Sequence, residues 1–503
     1  MSIKKTLGVV LALGIGATSL HAQDLRIGLQ EDPDVLDPDQ SRTFVGRIVY
    51  ASLCDKLVDI TPDLEIVPQL ATGWNWSDDG LELTMTLRDG VTFHDGTPFN
   101  AEAVVANIDR SQNMPESRRK SEVKSITATE AVDDLTVKFT LGAPDATLIA
   151  QFADRAGMMV SPTAATAAGV DFGLNPVCSG PFAFKERIQQ DRIVLEKFNA
   201  YWNADAINFD SVVFQPIPDT TVRLANLRAG DLDMLERLAA TDVTSAKADA
   251  SLQLEQATSL GYQGITINVG NGERAANPLG ENAALRRALS LAIDREVINQ
   301  VVFEGAFAAG NQPFPPTSPW YNDAYPVPAR DVEAAKALLT EAGYPDGVAI
   351  EVQVANNPVQ TQVMQVVQAM AAEAGIKIDL AATEFATLLA DQSAGVYTAS
   401  QIGWSGRVDP DGNIHQFMTT SGGINDSKYS NPEVDRLLDA ARSANDTAER
   451  KSNYDAAIAI LQQDVPIVYL YHPVWIWALS DRMQGFTPYP DGMIRLENVS
   501  LSE

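Results

Sequence analysis

The chain has 503 residues and a formal net charge of −29, and a charge of that sign and size repels phosphate backbones and anionic lipid, which argues against a nucleic-acid partner. Apolar and charged fractions of 45% and 20% are ordinary for globular proteins. The length exceeds what one core holds and points to two large lobes or three domains.

Residues 1–22 read as a cleavable export signal. Lys4 and Lys5 precede an apolar run from Leu7 to Ile15, small or neutral residues lead to Ala22, and the run is too short and glycine-rich to span a bilayer. No cysteine stands at the junction, so a soluble, exported mature protein beginning at Gln23 is expected. The cysteines are Cys54 and Cys178. An even pair in an oxidising compartment favours a disulfide over two buried thiols that pack as small hydrophobes. Neither has a Cys or His at ligand spacing, and His94, His415 and His472 are scattered, so no metal or cofactor is expected.

The mature chain opens on a strand, Leu25 to Leu29, followed by the turn-rich Glu31-Asp32-Pro33-Asp34 and a helix over Val45 to Leu53. Trp74 and Trp76 fall among turn residues, and Leu81 to Leu87 alternates apolar and polar as a half-buried strand does. Two Asp-Gly turns around Val91 to His94 predict a hairpin, with His94 making local turn hydrogen bonds. Asn100 caps a helix to about Gln112, and the strand Leu135 to Leu141 closes a small α+β module. Asn175 to Phe182 breaks regular structure; a strand from Arg192 to Phe198, a helix from Thr220 to Gly230 and a buried strand from Tyr262 to Val269 follow.

After Val269 helices and strands alternate. Leu285, Ala288, Leu289, Ala292 and Ile293 line one side of a helix whose polar side carries Arg286, Arg287, Asp294 and Arg295. Helices over Asp331 to Ala342, Val359 to Ala374 and Glu384 to Gln392 interleave with strands at Val348, Ile376 and Val396, which implies a sheet with helices on its faces. Two further helices are opened by Asn431-Pro432 and by a capping box from Asp446 to Glu449, and Val465 to Tyr471 is a strongly apolar strand.

The strand Val396 to Trp404 runs into Ser405-Gly406-Arg407-Val408-Asp409-Pro410-Asp411-Gly412-Asn413, where two glycines and a proline stop it. An aromatic face, a cation and two carboxylates thus sit at a strand's end, where ligands bind in α/β sheets. The alternative is a surface turn with an incidental tryptophan. The spacing Asp409, Asp411, Asn413 imitates a calcium loop but has Ile414 where glycine is needed and Thr420 where glutamate is needed. No nucleophile elbow, zinc-protease motif or phosphate loop is present.

Several stretches, in order, resemble the extracytoplasmic solute-binding proteins of ABC importers for peptides, opines and nickel. They are Leu36-Asp37-Pro38, Leu70-Ala71-Thr72-Gly73-Trp74, Leu87-Arg88-Asp89-Gly90-Val91-Thr92-Phe93-His94-Asp95-Gly96, Asn175-Pro176 with Ser179-Gly180-Pro181-Phe182, Ala200-Tyr201-Trp202, Ala229-Gly230-Asp231-Leu232-Asp233 and Leu291-Ala292-Ile293-Asp294-Arg295. The resemblance spans the mature chain. It implies an α/β, two-lobed periplasmic-binding-protein-like fold (type II, cluster C) with an extra α+β subdomain in the first lobe. The first lobe would hold 23–266 with the subdomain at about 62–182, the second 267–484, and 485–503 would return to the first. It also places Cys54 and Cys178 in one lobe, which makes their pairing plausible.

The function it implies is binding rather than catalysis: a periplasmic receptor that closes by a hinge over a small peptide-like or opine-like solute and delivers it to the permease. The expected partners are that solute (a peptide, an opine or a related organic acid) and the permease and ATPase subunits at the inner membrane, with the receptor itself a monomer. In the family's peptide receptors an acidic residue three places after the Gly-Trp tryptophan typically holds the α-amine; here that place is Arg407. The departure favours a solute that presents a carboxylate to Arg407, with Trp404 stacking and Asp409 meeting an amine or orienting the arginine. The alternative for Arg407 is an ion pair with Asp409 or Asp411. Asp32 and Glu31 are the candidates for the opposite wall. Two other readings are weighed: an exported hydrolase using Asp409 and Asp411 as acid and base, and a nickel-chelate receptor with His415 as the protein ligand.

Overall fold

The computed structural model describes residues 23–444 and 446–502; the expected export signal lies outside them. Two sheets organise the chain. The first has seven strands in the order Leu252–Thr258, Val474–Ser480, Met234–Leu235, Asp24–Leu29, Ser211–Pro216, Arg192–Lys197 and Phe182–Ile188. The second has six, ordered Ala308–Ala309, Ile467–His472, Tyr262–Ile267, Ala399–Trp404, Val348–Ala355 and Ile376–Thr383.

Asp24–Leu29 runs parallel to both its neighbours, and Leu25, Ile27 and Leu29 are wholly buried. Each such side chain contributes about 1.5–3 kcal/mol on leaving water. Helix Phe44–Leu53 starts where Thr43 Oγ1 accepts from Gly46 N, and its apolar face packs into the first core with Phe182, Phe214 and Trp475. In the second lobe the helices Ala283–Leu291, Arg295–Phe303, Val332–Glu341 and Pro358–Glu373 bury their leucine, isoleucine and valine faces on the sheet.

The chain passes between the sheets twice. Thr258 ends a first-sheet strand and Tyr262 opens a second-sheet one; His472 ends a second-sheet strand and Val474 opens a first-sheet one. The two crossings run side by side, since Ser259 N donates to Pro473 O at 3.1 Å and His472 Nδ1 lies 2.7 Å from Gly261 O. The lobe boundaries expected at 266 and 484 therefore move to about 260 and 473. Val474–Ser480 is buried along most of its length and reads as an apolar run that carries no mark of which sheet it joins. The tail packs Met493, Ile494, Leu496 and Val499 into the first core.

A four-stranded antiparallel sheet, ordered Ala71–Trp76, Glu82–Leu87, Thr136–Leu141 and Ile126–Asp133, forms the inserted subdomain with helix Ala101–Asn113. Asn100 caps that helix by accepting from Ala103 N at 3.0 Å. The subdomain core runs from Leu57 to Met159, while Cys178 and Phe182 belong to the first-lobe core, so the insert ends well before the expected residue 182. Cys54 and Cys178 form a disulfide with their Cα atoms 4.8 Å apart.

Three local expectations change. Trp74 and Trp76 lie in a strand, not a turn; the hairpin around His94 shrinks to one bridge, Thr92 to Pro98. The helix through Leu285 stops at Leu291, because Asp294 turns its carboxylate to cap the next helix at Val297 N, 3.0 Å away. Among the described residues no helix is long and apolar enough to cross a membrane.

Candidate functional site

A cleft with about 1150 Å³ of empty space, its open mouth included, separates the two sheets and is lined by both. On the first-lobe wall the parallel strands Asp24–Leu29 and Met234–Leu235 end side by side and deliver Gln30, Glu31 and Arg237. Phe44 and Trp475 stack beside them at 4.6 Å between ring centroids. The second-lobe wall is built on the strand pair Tyr262–Ile267 and Ala399–Trp404, whose register sets Tyr262 opposite Trp404. Gln401 Nε2 donates to Gln263 Oε1 at 2.9 Å on that wall. The lining is thus aromatic at both ends and rich in side-chain amides, which suits a solute with apolar parts and peptide-like groups.

Charge in the cleft is mostly committed. Arg42 Nη2 holds Asp426 Oδ2 at 2.5 Å, and Arg42 Nη1 donates to Ser393 Oγ at 2.6 Å, both across the lobes. Arg119 pairs with Glu122, and Arg155 donates to the Ser41 and Thr43 carbonyls at 3.1 and 2.9 Å. Glu31 makes no hydrogen bond among the described residues. Burial pushes its carboxyl up to about 7, helped by the nearby Glu236, Asp34 and Glu384 and opposed by Arg237.

Of the five residues expected to meet solute, the cleft lining includes Glu31 and Trp404 and does not include Arg407, Asp409 or Asp32. Arg407 spans the lobes. Its Nε stands 2.6 Å from Asp154 Oδ2, both side chains are 5% exposed, and its guanidinium covers the Trp404 ring at 4.1 Å. The expected stacking face of Trp404 is therefore occupied by Arg407 on one side, while Phe417 meets the ring edge-on at 4.9 Å. Asp154 is paired a second time by Arg47 Nη2 at 2.7 Å, and Arg47 Nη1 returns to Ser405 Oγ at 2.9 Å. Burial alone would raise the Asp154 carboxyl; Arg407, Arg47 and Arg155 overcome it and hold it well below the usual range.

The loop after Trp404 is fastened by Asn413. Its Oδ1 accepts from Trp404 Nε1 at 2.9 Å and from Arg407 N at 2.7 Å, while its Nδ2 donates to Arg407 O at 3.0 Å. Asp409 is held bidentately by Arg450 at 2.6 and 3.0 Å, and Asp411 by Arg442 at 2.6 and 3.1 Å. Each carboxylate of the supposed acid and base pair is thus committed to its own buried arginine and is not a free acid or base. Asp32 accepts from Arg187 Nη2 and Gln190 N, both at 3.1 Å, which turns it away from the cleft. His415 is 2% exposed, lies 2.8 Å from Asp439 and is not in the cleft lining. Among the described residues no group of three or more His, Cys, Asp or Glu is placed to hold a metal ion.

Arg237 is a cleft residue, like Arg42, Phe44 and Trp475, that the sequence did not single out. It follows a strand of two residues, Met234–Leu235, too short for any periodicity.

Three comparisons place these features. The family model for bacterial extracellular solute-binding proteins, family 5, matches residues 65–426. The glutathione-binding protein GsiB of Pectobacterium atrosepticum is 31% identical, with 99% of this chain and 97% of that protein covered. Among solved structures, the binding protein AgaA of A. tumefaciens R10 in complex with agropinic acid superposes with a TM-score of 0.86 at 27% identity, covering 95% of this chain and 99% of that one. A dipeptide-binding protein of Pseudoalteromonas sp. SM9913 in complex with Met-Leu gives 0.87 at 26%, covering 95% and 100%.

Proposed function

The chain belongs to the family 5 bacterial extracellular solute-binding proteins, and on that premise we propose that it captures a small peptide-like or opine-like solute between its lobes and hands it to an ABC importer. The observation that carries this reading is the cleft itself. Both lobes line it, two adjacent crossings at Ser259–Gly261 and Pro473 connect them, and cross-lobe ion pairs such as Arg42 with Asp426 close its rim. Side-by-side crossings act as a hinge, and a cleft that buries its ligand pairs charges in a dry environment.

Relatives that bind glutathione, a dipeptide and agropinic acid bracket the solute class. The amide-rich lining of Gln263 and Gln401 between the aromatic pairs supports the same peptide-like class. Glu31 and Trp404 are the expected solute contacts, the periplasm is the working compartment, and the permease of an inner-membrane importer is the partner that receives the closed form.

The test is a melting screen of mature protein against dipeptides, γ-linked peptides and opines, with native mass spectrometry of protein taken from its own host. A true solute at a hundred times its Kd stabilises the fold by about 2.7 kcal/mol. A protein that no member of the three classes stabilises, that carries no small molecule from its host, or that converts a candidate into product, overturns the reading.

A further inference from the structure

Two charged groups in the cleft make no side-chain hydrogen bond among the described residues. The acids of the lining are Glu31 and Asp426, and Asp426 is taken by Arg42. The arginines are Arg42, Arg119, Arg155 and Arg237, and the first three are engaged as described. Arg237 differs. Its Nε is 3.4 Å from Glu236 Oε2 without an aligned hydrogen bond, and its terminal nitrogens have no hydrogen-bond partner among the described residues. Its guanidinium lies over Phe44 at 4.5 Å and Trp475 at 5.1 Å, so one flat side rests on aromatic carbon while the edge that pairs with a carboxylate is not engaged.

The fold sets these two groups next to each other. Gln30 N donates to Glu236 Oε1 at 2.7 Å and Glu236 N to Gly28 O at 3.1 Å, which locks the loops carrying Glu31 and Arg237 side by side at the carboxyl ends of adjacent parallel strands. Arg237 sits at φ +53°, a left-handed conformation that costs a non-glycine residue about 1–2 kcal/mol and persists where the surroundings hold it. Yet the two side chains form no ion pair with each other within 4.0 Å.

Building on the receptor reading, we infer that Glu31 and Arg237 form a head-group clamp, the carboxylate taking the amine and the guanidinium the carboxylate of one α-amino-acid group. Amine and carboxylate on a single carbon fit two opposite charges on neighbouring loops. A linear dipeptide carries the same charges a full peptide unit further apart and reaches one of the two. The solute class is therefore a compound with a free α-amino-acid head and its linkage elsewhere, such as a γ-linked peptide or an amino-acid conjugate. The amides of Gln263 and Gln401 on the facing wall suit the linkage.

Calorimetry with γ-glutamylglycine, its N-acetyl form, its head-group α-amide and alanylalanine tests the clamp on wild type and on Arg237→Ala, Arg237→Lys and Glu31→Gln. Blocking either head group is expected to weaken binding at least about thirtyfold. Arg237→Ala should lose as much for γ-glutamylglycine and little for the α-amide, with Arg237→Lys recovering part. Glu31→Gln should abolish discrimination against the N-acetyl form. Melting temperatures close to wild type confirm folded variants. Wild type that binds the blocked forms as tightly, or prefers alanylalanine, overturns the clamp and leaves the receptor reading standing. An Arg237→Ala loss that is equal for blocked and unblocked probes also overturns it. Failure of all four probes overturns the clamp, and the receptor reading is then judged by its own screen.

Discussion

Arg407 of the second lobe stands with its Nε 2.6 Å from Asp154 Oδ2 of the first, and Arg47 holds the same oxygen at 2.7 Å. One buried carboxylate thus joins guanidiniums from opposite sides of the cleft. The pair bridges the lobes, so separating them breaks it, and its formation has to offset the desolvation of both charges.

Asp154→Asn leaves two buried guanidiniums facing a neutral amide, a cost of about 3–5 kcal/mol for an unpaired buried charge. Part of that cost is relieved by opening, so solute Kd should rise on the order of tenfold or more as the closed population falls. Small-angle scattering should find the unliganded variant more extended, and adding Arg407→Ala should restore part of the affinity. A Kd unchanged by Asp154→Asn would remove this contact from the closing mechanism.

Glu31 predicts a proton coupled to binding. Its carboxyl in this cleft, with the lobes together, is raised from the ordinary 4.5 to about 7, chiefly by burial, with Glu236, Asp34 and Glu384 adding to it and Arg237 opposing. A raised acid holds its proton in the fold after the unfolded chain has lost it, so its contribution to stability is complete below the ordinary value and fades as pH rises through 7. A solute ammonium requires the ionised form. Binding therefore releases a proton below pH 7, and Kd falls by up to about tenfold per unit as pH rises toward 7, then levels. Calorimetry in two buffers of different ionisation enthalpy measures the proton; Glu31→Gln should flatten the profile.

The disulfide closes a sequence separation of 124 residues, for which the chain-entropy model gives about 4–5 kcal/mol. Replacing Cys54 and Cys178 by serine should lower the urea midpoint accordingly with little change in solute Kd, because the bond lies in the first core and not in the cleft. A midpoint unmoved by the double change would count against that stabilisation.

Gly261, at one crossing, has no room for a side chain: a Cβ there would fall 1.8 Å from Trp404 O. Gly261→Ala must push the Tyr262 and Trp404 strands apart at the cleft wall, with an expected loss of about 1–3 kcal/mol in stability and weaker solute binding. Gly73→Ala is the control, since nothing lies within 4 Å of its Cβ position. Equal melting temperatures for the two variants would refute the steric argument.

Much of the fold was legible before the structure because its signals are local. The caps at Asn100, Asn431 and Asp446, the left-handed stop at Gly230, and the alternation of Glu82–Leu87 each depend on residues within a few positions. The strand leading to Trp404 and its abrupt end were readable for the same reason. Misread elements had ambiguous local signals: Asp294 sits on a helical polar face in sequence yet caps a new helix, and Val474–Ser480 is apolar enough for either sheet.

By itself the sequence determined the alternation of elements and, through motifs in order, the two-lobed receptor class and Cys54 and Cys178 as a pair. The tertiary structure decided which charges are spent and which are left to meet a solute. Arg407 looked available beside Asp409 and Asp411, but those two face Arg450 and Arg442, and its own partner, Asp154, lies in the other lobe. Arg237 was not singled out in the sequence, yet it ends beside Glu31 with its terminal nitrogens unengaged and only a 3.4 Å contact from its Nε to Glu236. Ion pairing acts over a few ångströms of space between groups hundreds of residues apart in the chain, so which cation stays unpaired is a property of the folded packing.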